Sequence, residues 1–176
     1  MIVFFVTKEL AFGSKARLTR HIERLESLGI THVIDVRHYA GKKLRKFKTI
    51  RLNFKDDGRP RPMWFYARAL RFYENALKGP HSKVYVMCRA GRRRSASMTY
   101  FLLRASGVGP RKAENTIRRA RPCVQIVRAY RDSGEQFLAN NQTSRKNSTR
   151  KGEIQKCVLN AIGCRQPREE RHELST

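Results

Sequence analysis

The chain has 176 residues, 40% of them hydrophobic and 30% charged, and its 39 lysines and arginines against 14 acidic residues give a formal net charge of +25. That length suits one domain built on one core, and no apolar run approaches the roughly twenty residues of a membrane span. Four cysteines without close pairing argue against a disulfide-stapled secreted domain and against a structural zinc site.

Ile2 to Val6 reads as a buried strand, and it breaks into Thr7-Lys8-Glu9 too soon for a signal peptide, which points to a reducing cytoplasm. Between Lys15 and Leu28, the residues Leu18, Ile22, Leu25 and Leu28 share one face of a predicted helix. Val33 to Val36 reads as a second strand, and the alternation of Ile50, Leu52 and Phe54 predicts a third, half-buried one. After a proline-rich lead-in, Pro62 to Leu77 reads as a helix. On it Trp64, Phe65, Tyr66, Phe72 and Tyr73 are read as core and groove wall rather than as a base-stacking platform. Val84 to Met87 supplies a central strand, Ala96 to Leu103 a helix, and Val127 to Asn140 a closing helix.

Strands separated by helices predict an α/β fold, a mostly parallel central sheet flanked by helices in a three-layer sandwich, with ligands beyond the carboxyl ends of the strands. The predicted domain covers residues 1–142. Residues 143–176 form a basic tail poor in apolar side chains that is not expected to fold, apart from one amphipathic patch at Ile154, Val158, Leu159 and Ile162. The tail holds eight basic and four acidic residues, which leaves +21 on the body. The cationic excess is therefore a property of the domain. It predicts attraction to polyanions, with Lys42-Lys43-Leu44-Arg45-Lys46-Phe47-Lys48 and Arg111-Lys112 with Arg118-Arg119 as candidate contacts. A non-catalytic nucleic-acid-binding protein is thus one alternative, although no zinc-finger spacing or RNA-binding signature accompanies the charge.

The stretch Cys88-Arg89-Ala90-Gly91-Arg92-Arg93-Arg94-Ser95 lies between the central strand and a helix. Backbone N–H groups of such a loop are unpaired and point inward, and the helix dipole adds positive charge at the same end, so an anion belongs there. The same field stabilises a thiolate at Cys88. Arg94 offers a planar fork for two phosphoryl oxygens, Gly91 lets the loop turn, and Ser95 can donate its hydroxyl to the sulfur. Residues Arg89, Ala90, Gly91, Arg92, Arg93 and Arg94 would then surround a bound phosphate, with no metal and no cofactor required.

On these residues the chain resembles the cysteine-dependent dual-specificity protein phosphatases of the protein tyrosine phosphatase superfamily. Their signature of Cys, five residues, Arg and then Ser or Thr fits Cys88, Arg94 and Ser95. The likeness extends to Gly29-Ile30-Thr31-His32-Val33-Ile34-Asp35-Val36-Arg37, to Lys8 through Ser14, and to Gly107-Val108-Gly109-Pro110 with the later Arg121-Pro122, roughly Ile2 to Asn140 in all. The resemblance implies a phosphatase-like fold, a phosphocysteine intermediate and a phosphorylated protein as substrate.

It also implies a general acid, an aspartate on a loop about thirty residues before the cysteine. The chain has four aspartates. Asp35 lies within a strand pattern and Asp132 far downstream, which leaves Asp56 and Asp57; alignment of the preceding strand with the family favours Asp56 and keeps Asp57 open. Two features depart from the family. Met87 stands where a histidine usually precedes the cysteine, and Arg89, Arg92 and Arg93 make the loop unusually basic. A basic loop is similar to that of relatives acting on inositol phosphates, and relatives acting on RNA 5′ ends are basic proteins, so polyanionic non-protein substrates are an alternative. A rhodanese-like sulfurtransferase is a further one, because Ile34-Asp35-Val36-Arg37 and Cys88-Arg89-Ala90-Gly91 resemble that family and Arg93 stands five positions after the cysteine. The larger loop and Asp56 weigh against it.

Overall fold

The computed structural model describes residues 2–15, 19–38 and 44–141. Contacts within the chain divide it into a unit Met1–Leu138 and a unit Ala139–Thr176; the tail patch read from the sequence lies outside the described residues, as do Leu18, Lys42 and Lys43. Five strands, β1 (Val3–Phe5), β2 (Leu10–Ser14), β3 (His32–Asp35), β4 (Lys48–Arg51) and β5 (Val84–Cys88), form one sheet in the order β1-β2-β5-β3-β4. Only β1 is antiparallel; β2, β5, β3 and β4 run parallel. The helices are α1 (Thr19–Ser27), α2 (Met63–Leu77), α3 (Arg94–Ala105), α4 (Pro110–Ala120) and α5 (128–141).

β5 is buried along its whole length, and its alternation sorts the molecule into two cores. Val84, Val86 and Cys88 face the larger core with α2, α3 and α4 residues, whereas Tyr85 and Met87 face a smaller one containing Leu25 of α1. Met87 therefore packs on the sheet face opposite Cys88. Helix α3 is buried from Ser95 to Leu103, as the central helix of the larger layer must be. Helix α4 buries only Ala113 and Ile117, one turn apart, and presents Arg111, Lys112, Arg118 and Arg119 to solvent.

Four details differ from the sequence reading. The first strand is a half-buried edge rather than a buried one, with Ile2 50% exposed. Lys8 to Ser14 contains a full strand, β2, that the sequence pattern hid. Its Gly13 is required there, because a Cβ would lie 2.0 Å from the Ile2 carbonyl oxygen. Strand β4 stops at Arg51, since Asn53 takes the left-handed conformation (φ 42°) that asparagine tolerates, although Leu52 and Phe54 remain buried. Finally, Trp64 is 55% exposed while Phe65, Tyr66 and Tyr73 are core.

Candidate active site

β5 carries Cys88 to the carboxyl edge of the sheet, beside Ser14 at the end of β2. The chain then turns through 89–93 into α3, which begins at Arg94. Gly91 makes that turn with φ 68°, and a Cβ there would sit 2.5 Å from the Gly13 carbonyl carbon and 2.7 Å from Ser14 N. No side chain fits.

The loop's carbonyls all have partners outside the cradle. Those of Arg89, Arg92 and Arg93 accept from the backbone N–H groups of Lys15 (3.5 Å), Gln125 (2.9 Å) and Ser97 (2.8 Å). Those of Ala90 and Gly91 accept from Arg121 Nη1 at 3.0 and 2.7 Å. In a trans peptide the C=O and the following N–H point in opposite directions, so outward carbonyls on 89–93 leave the amides of 90–94 directed the other way. One of these, Gly91 N–H, donates to Cys88 Sγ at 3.1 Å, and the Ser95 hydroxyl lies 3.1 Å from the same sulfur. Cys88 is buried, 3% exposed, at the base of the loop.

Arg94 lies in the first turn of α3 and is 12% exposed. Its Nη1 donates to the carbonyls of Phe54 (2.8 Å) and Val36 (3.4 Å), which moors it to the segments after β4 and β3. Its buried Nε makes no hydrogen bond, and Asp56 Oδ2 lies 3.6 Å from it. Arg93 Nε lies 3.7 Å from Asp56 Oδ1, and Arg93, like Arg89 and Arg92, is exposed.

Asp56 and Asp57 are adjacent in sequence but have different neighbours. Asp56 faces Arg94 and Arg93 and accepts a hydrogen bond from the Tyr130 hydroxyl (3.2 Å). Asp57 turns to its own loop, pairing with Arg61 and accepting from Arg59 N–H at 3.1 Å. The Arg59 amide, together with Arg61, holds its carboxyl below the usual range. Asp35 is buried and gripped by Arg37 through bonds of 2.7 and 2.8 Å, and Asp132 pairs with Arg128 and Arg131. The structure thus brings Cys88, Ser95 and Gly91 together, and separately Arg94, Arg93 and Asp56, the two groups joined through the start of α3.

Tyr130 was not singled out by the sequence. It lies on α5, 74 residues from Asp56, and no spacing pattern connects them. Burial pushes its phenol up, as does the Asp56 charge, against the Gly58 N–H that it accepts at 2.8 Å; it remains a protonated donor at neutral pH. The sequence gives no role to Arg121 of the Arg-Pro pair, which the structure seats on the Ala90 and Gly91 carbonyls.

No family model matches the chain, and no curated protein matches it by sequence. Solved structures do. PTPMT1 in complex with PI(5)P superposes with a TM-score of 0.70 at 18% identity, covering 81% of this chain and 98% of that one. Human DUSP28 gives 0.68 at 22% identity, covering 80% and 95%. DUSP15 gives 0.68 at 20% identity, covering 82% and 93%. The chain therefore has the fold of the dual-specificity phosphatases of the protein tyrosine phosphatase superfamily, the fold that its Cys88–Ser95 loop resembles.

Proposed function

We propose that the protein is a metal-independent phosphomonoester hydrolase. The observation that carries this reading is the sulfur of Cys88 at the base of a loop whose carbonyls are all turned to outside partners. The Cys88 thiolate attacks phosphorus; the ester P–O bond breaks with its electron pair going to the leaving oxygen, which takes a proton from Asp56. Water then attacks the phosphocysteine while the Asp56 carboxylate accepts its proton. The P–S bond breaks with its pair returning to sulfur, where Gly91 N–H and the Ser95 hydroxyl stabilise the thiolate. Loop amides of 90–94 and Arg94, whose Nε has a donor to offer, hold the non-bridging oxygens as charge develops on them.

Phosphotyrosine and phosphoserine/threonine proteins are the first substrate class, with the cytoplasm as a compartment reducing enough to keep the thiolate usable. A second reading, a polyanionic substrate such as an inositol phosphate or an RNA 5′ end, is favoured by the exposed Arg89, Arg92 and Arg93 around the loop. The PTPMT1 structure bound to PI(5)P supports it by analogy. Hydrolysis of p-nitrophenyl phosphate without metal tests the reaction: Cys88→Ser should lose on the order of 10⁴-fold or more in kcat. Activity surviving that change removes the proposal. A side-by-side assay of phosphopeptides, inositol phosphates and 5′-phosphorylated RNA separates the two substrate classes by kcat/KM.

A further inference from the structure

The geometry points to Tyr130 as a positioning residue that orients the proton-donating carboxyl of Asp56, an inference that rests on the reaction proposed above. The Tyr130 hydroxyl carries one proton and accepts one hydrogen bond from Gly58 N–H at 2.8 Å. Its two candidate acceptors are Asp56 Oδ1 at 3.2 Å and the Lys55 carbonyl at 3.5 Å. The closer is the carboxylate oxygen.

That choice has a chemical consequence. With Oδ1 occupied by the phenol, the proton of a neutral Asp56 sits on Oδ2, the oxygen 3.6 Å from Arg94 Nε and so on the side of the phosphate-holding arginine. When the ester bond breaks and that proton passes to the leaving oxygen, Asp56 becomes a carboxylate and the Tyr130 hydrogen bond becomes charge-assisted, hence stronger. The interaction is thus worth more in the transition state than in the ground state, the condition for raising kcat.

Tyr130 is itself fixed. Its ring packs edge-on against Phe54 at 4.5 Å, its carbonyl accepts from the Tyr66 hydroxyl at 2.6 Å, and the residue is 2% exposed. Phe54 in turn gives its carbonyl to Arg94. The phenol therefore stands in a frame shared with the arginine, and it reaches the acid loop at Asp56 and at Gly58.

The test compares the wild type, Tyr130→Phe, Asp56→Ala and the double variant on p-nitrophenyl phosphate, whose leaving group needs little protonation, and on phenyl phosphate, whose leaving group needs it. The phenylalanine keeps the ring packing, and a thermal melt together with vanadate affinity reports whether fold and phosphate loop are intact. Tyr130→Phe should lower kcat about tenfold on phenyl phosphate, clearly less on p-nitrophenyl phosphate, and should change nothing further once Asp56 is alanine. Equal losses on both substrates, or the same loss in the Asp56→Ala background, would show a merely structural hydroxyl and overturn the inference. Full activity of Asp56→Ala on phenyl phosphate would overturn it too, by removing the acid while leaving the Cys88 chemistry standing.

Discussion

The loop proposed to hold phosphate and the loop that carries Asp56 meet at Arg94, yet they are held differently. The first is pinned chiefly through its backbone: a glycine pressed against Gly13 and Ser14, and outward carbonyls that accept from the amides of Lys15, Ser97 and Gln125 and from the one side chain of Arg121. The second is held by side chains from far along the chain. Tyr130 bonds at Asp56 and Gly58, Ser133 Oγ accepts from Arg61 N–H at 3.3 Å, and Arg61 lies over the rings of Phe54 and Tyr130. A shape built into the sheet edge suits the oxyanion cradle proposed for this loop. A proton donor has only to reach one oxygen, and a tethered loop suffices.

The contrast can be broken most severely at Gly91. In Gly91→Ala the new methyl meets backbone on β2 and the residue keeps a positive φ, costing about 3 kcal/mol or more, read as a fall in Tm of roughly 6–12 °C with loss of vanadate binding. A variant as stable as the wild type would mean that the loop is not pinned at all. Arg121→Met is milder. The methionine keeps a stem against Phe4, whose ring lies 5.1 Å from the guanidinium, but abandons the carbonyls of Ala90 and Gly91. Vanadate affinity should weaken about tenfold, and titration calorimetry would reveal it; unchanged affinity would relieve Arg121 of its bracing role.

The smallest effect belongs to Asp57→Asn. Because Asp57 faces Arg61 rather than Arg94, kcat should fall less than about fivefold; a loss matching Asp56→Ala would reverse the two roles. Its depressed carboxyl adds stability that is present at neutral pH and is lost as the pH falls from about 4 through the lower folded value. Melting curves of Asp57→Asn and wild type should therefore converge in acid. Divergence there would contradict the pairing with Arg61.

Much of the fold was legible because it is written locally. The order strand, loop, helix around Cys88 follows from an apolar run, a glycine turn and a helical stretch contiguous in sequence. The spacing of Ile22, Leu25 and Leu28 places one helix with no tertiary knowledge. Strand β2 was not legible, since Gly13 lowers strand propensity and its reason, the close approach of Ile2, is visible only in three dimensions. Trp64 is read from the sequence with Phe65, Tyr66, Phe72 and Tyr73 as core and groove wall together, and periodicity alone does not say which ring of that stripe is left exposed. Adjacent Asp56 and Asp57 are indistinguishable by spacing; α5 and Arg61 give them different surroundings.

Arg121 bears on how much of the protein's positive charge can act outward. Its guanidinium is spent on the carbonyls of its own chain, and Arg37, Arg61 and Arg104 are likewise engaged by Asp35, Asp57 and Glu135. Part of the cationic inventory is internal scaffolding, so the ionic strength needed to strip this protein from an anionic resin should be lower than a tally of its basic side chains implies.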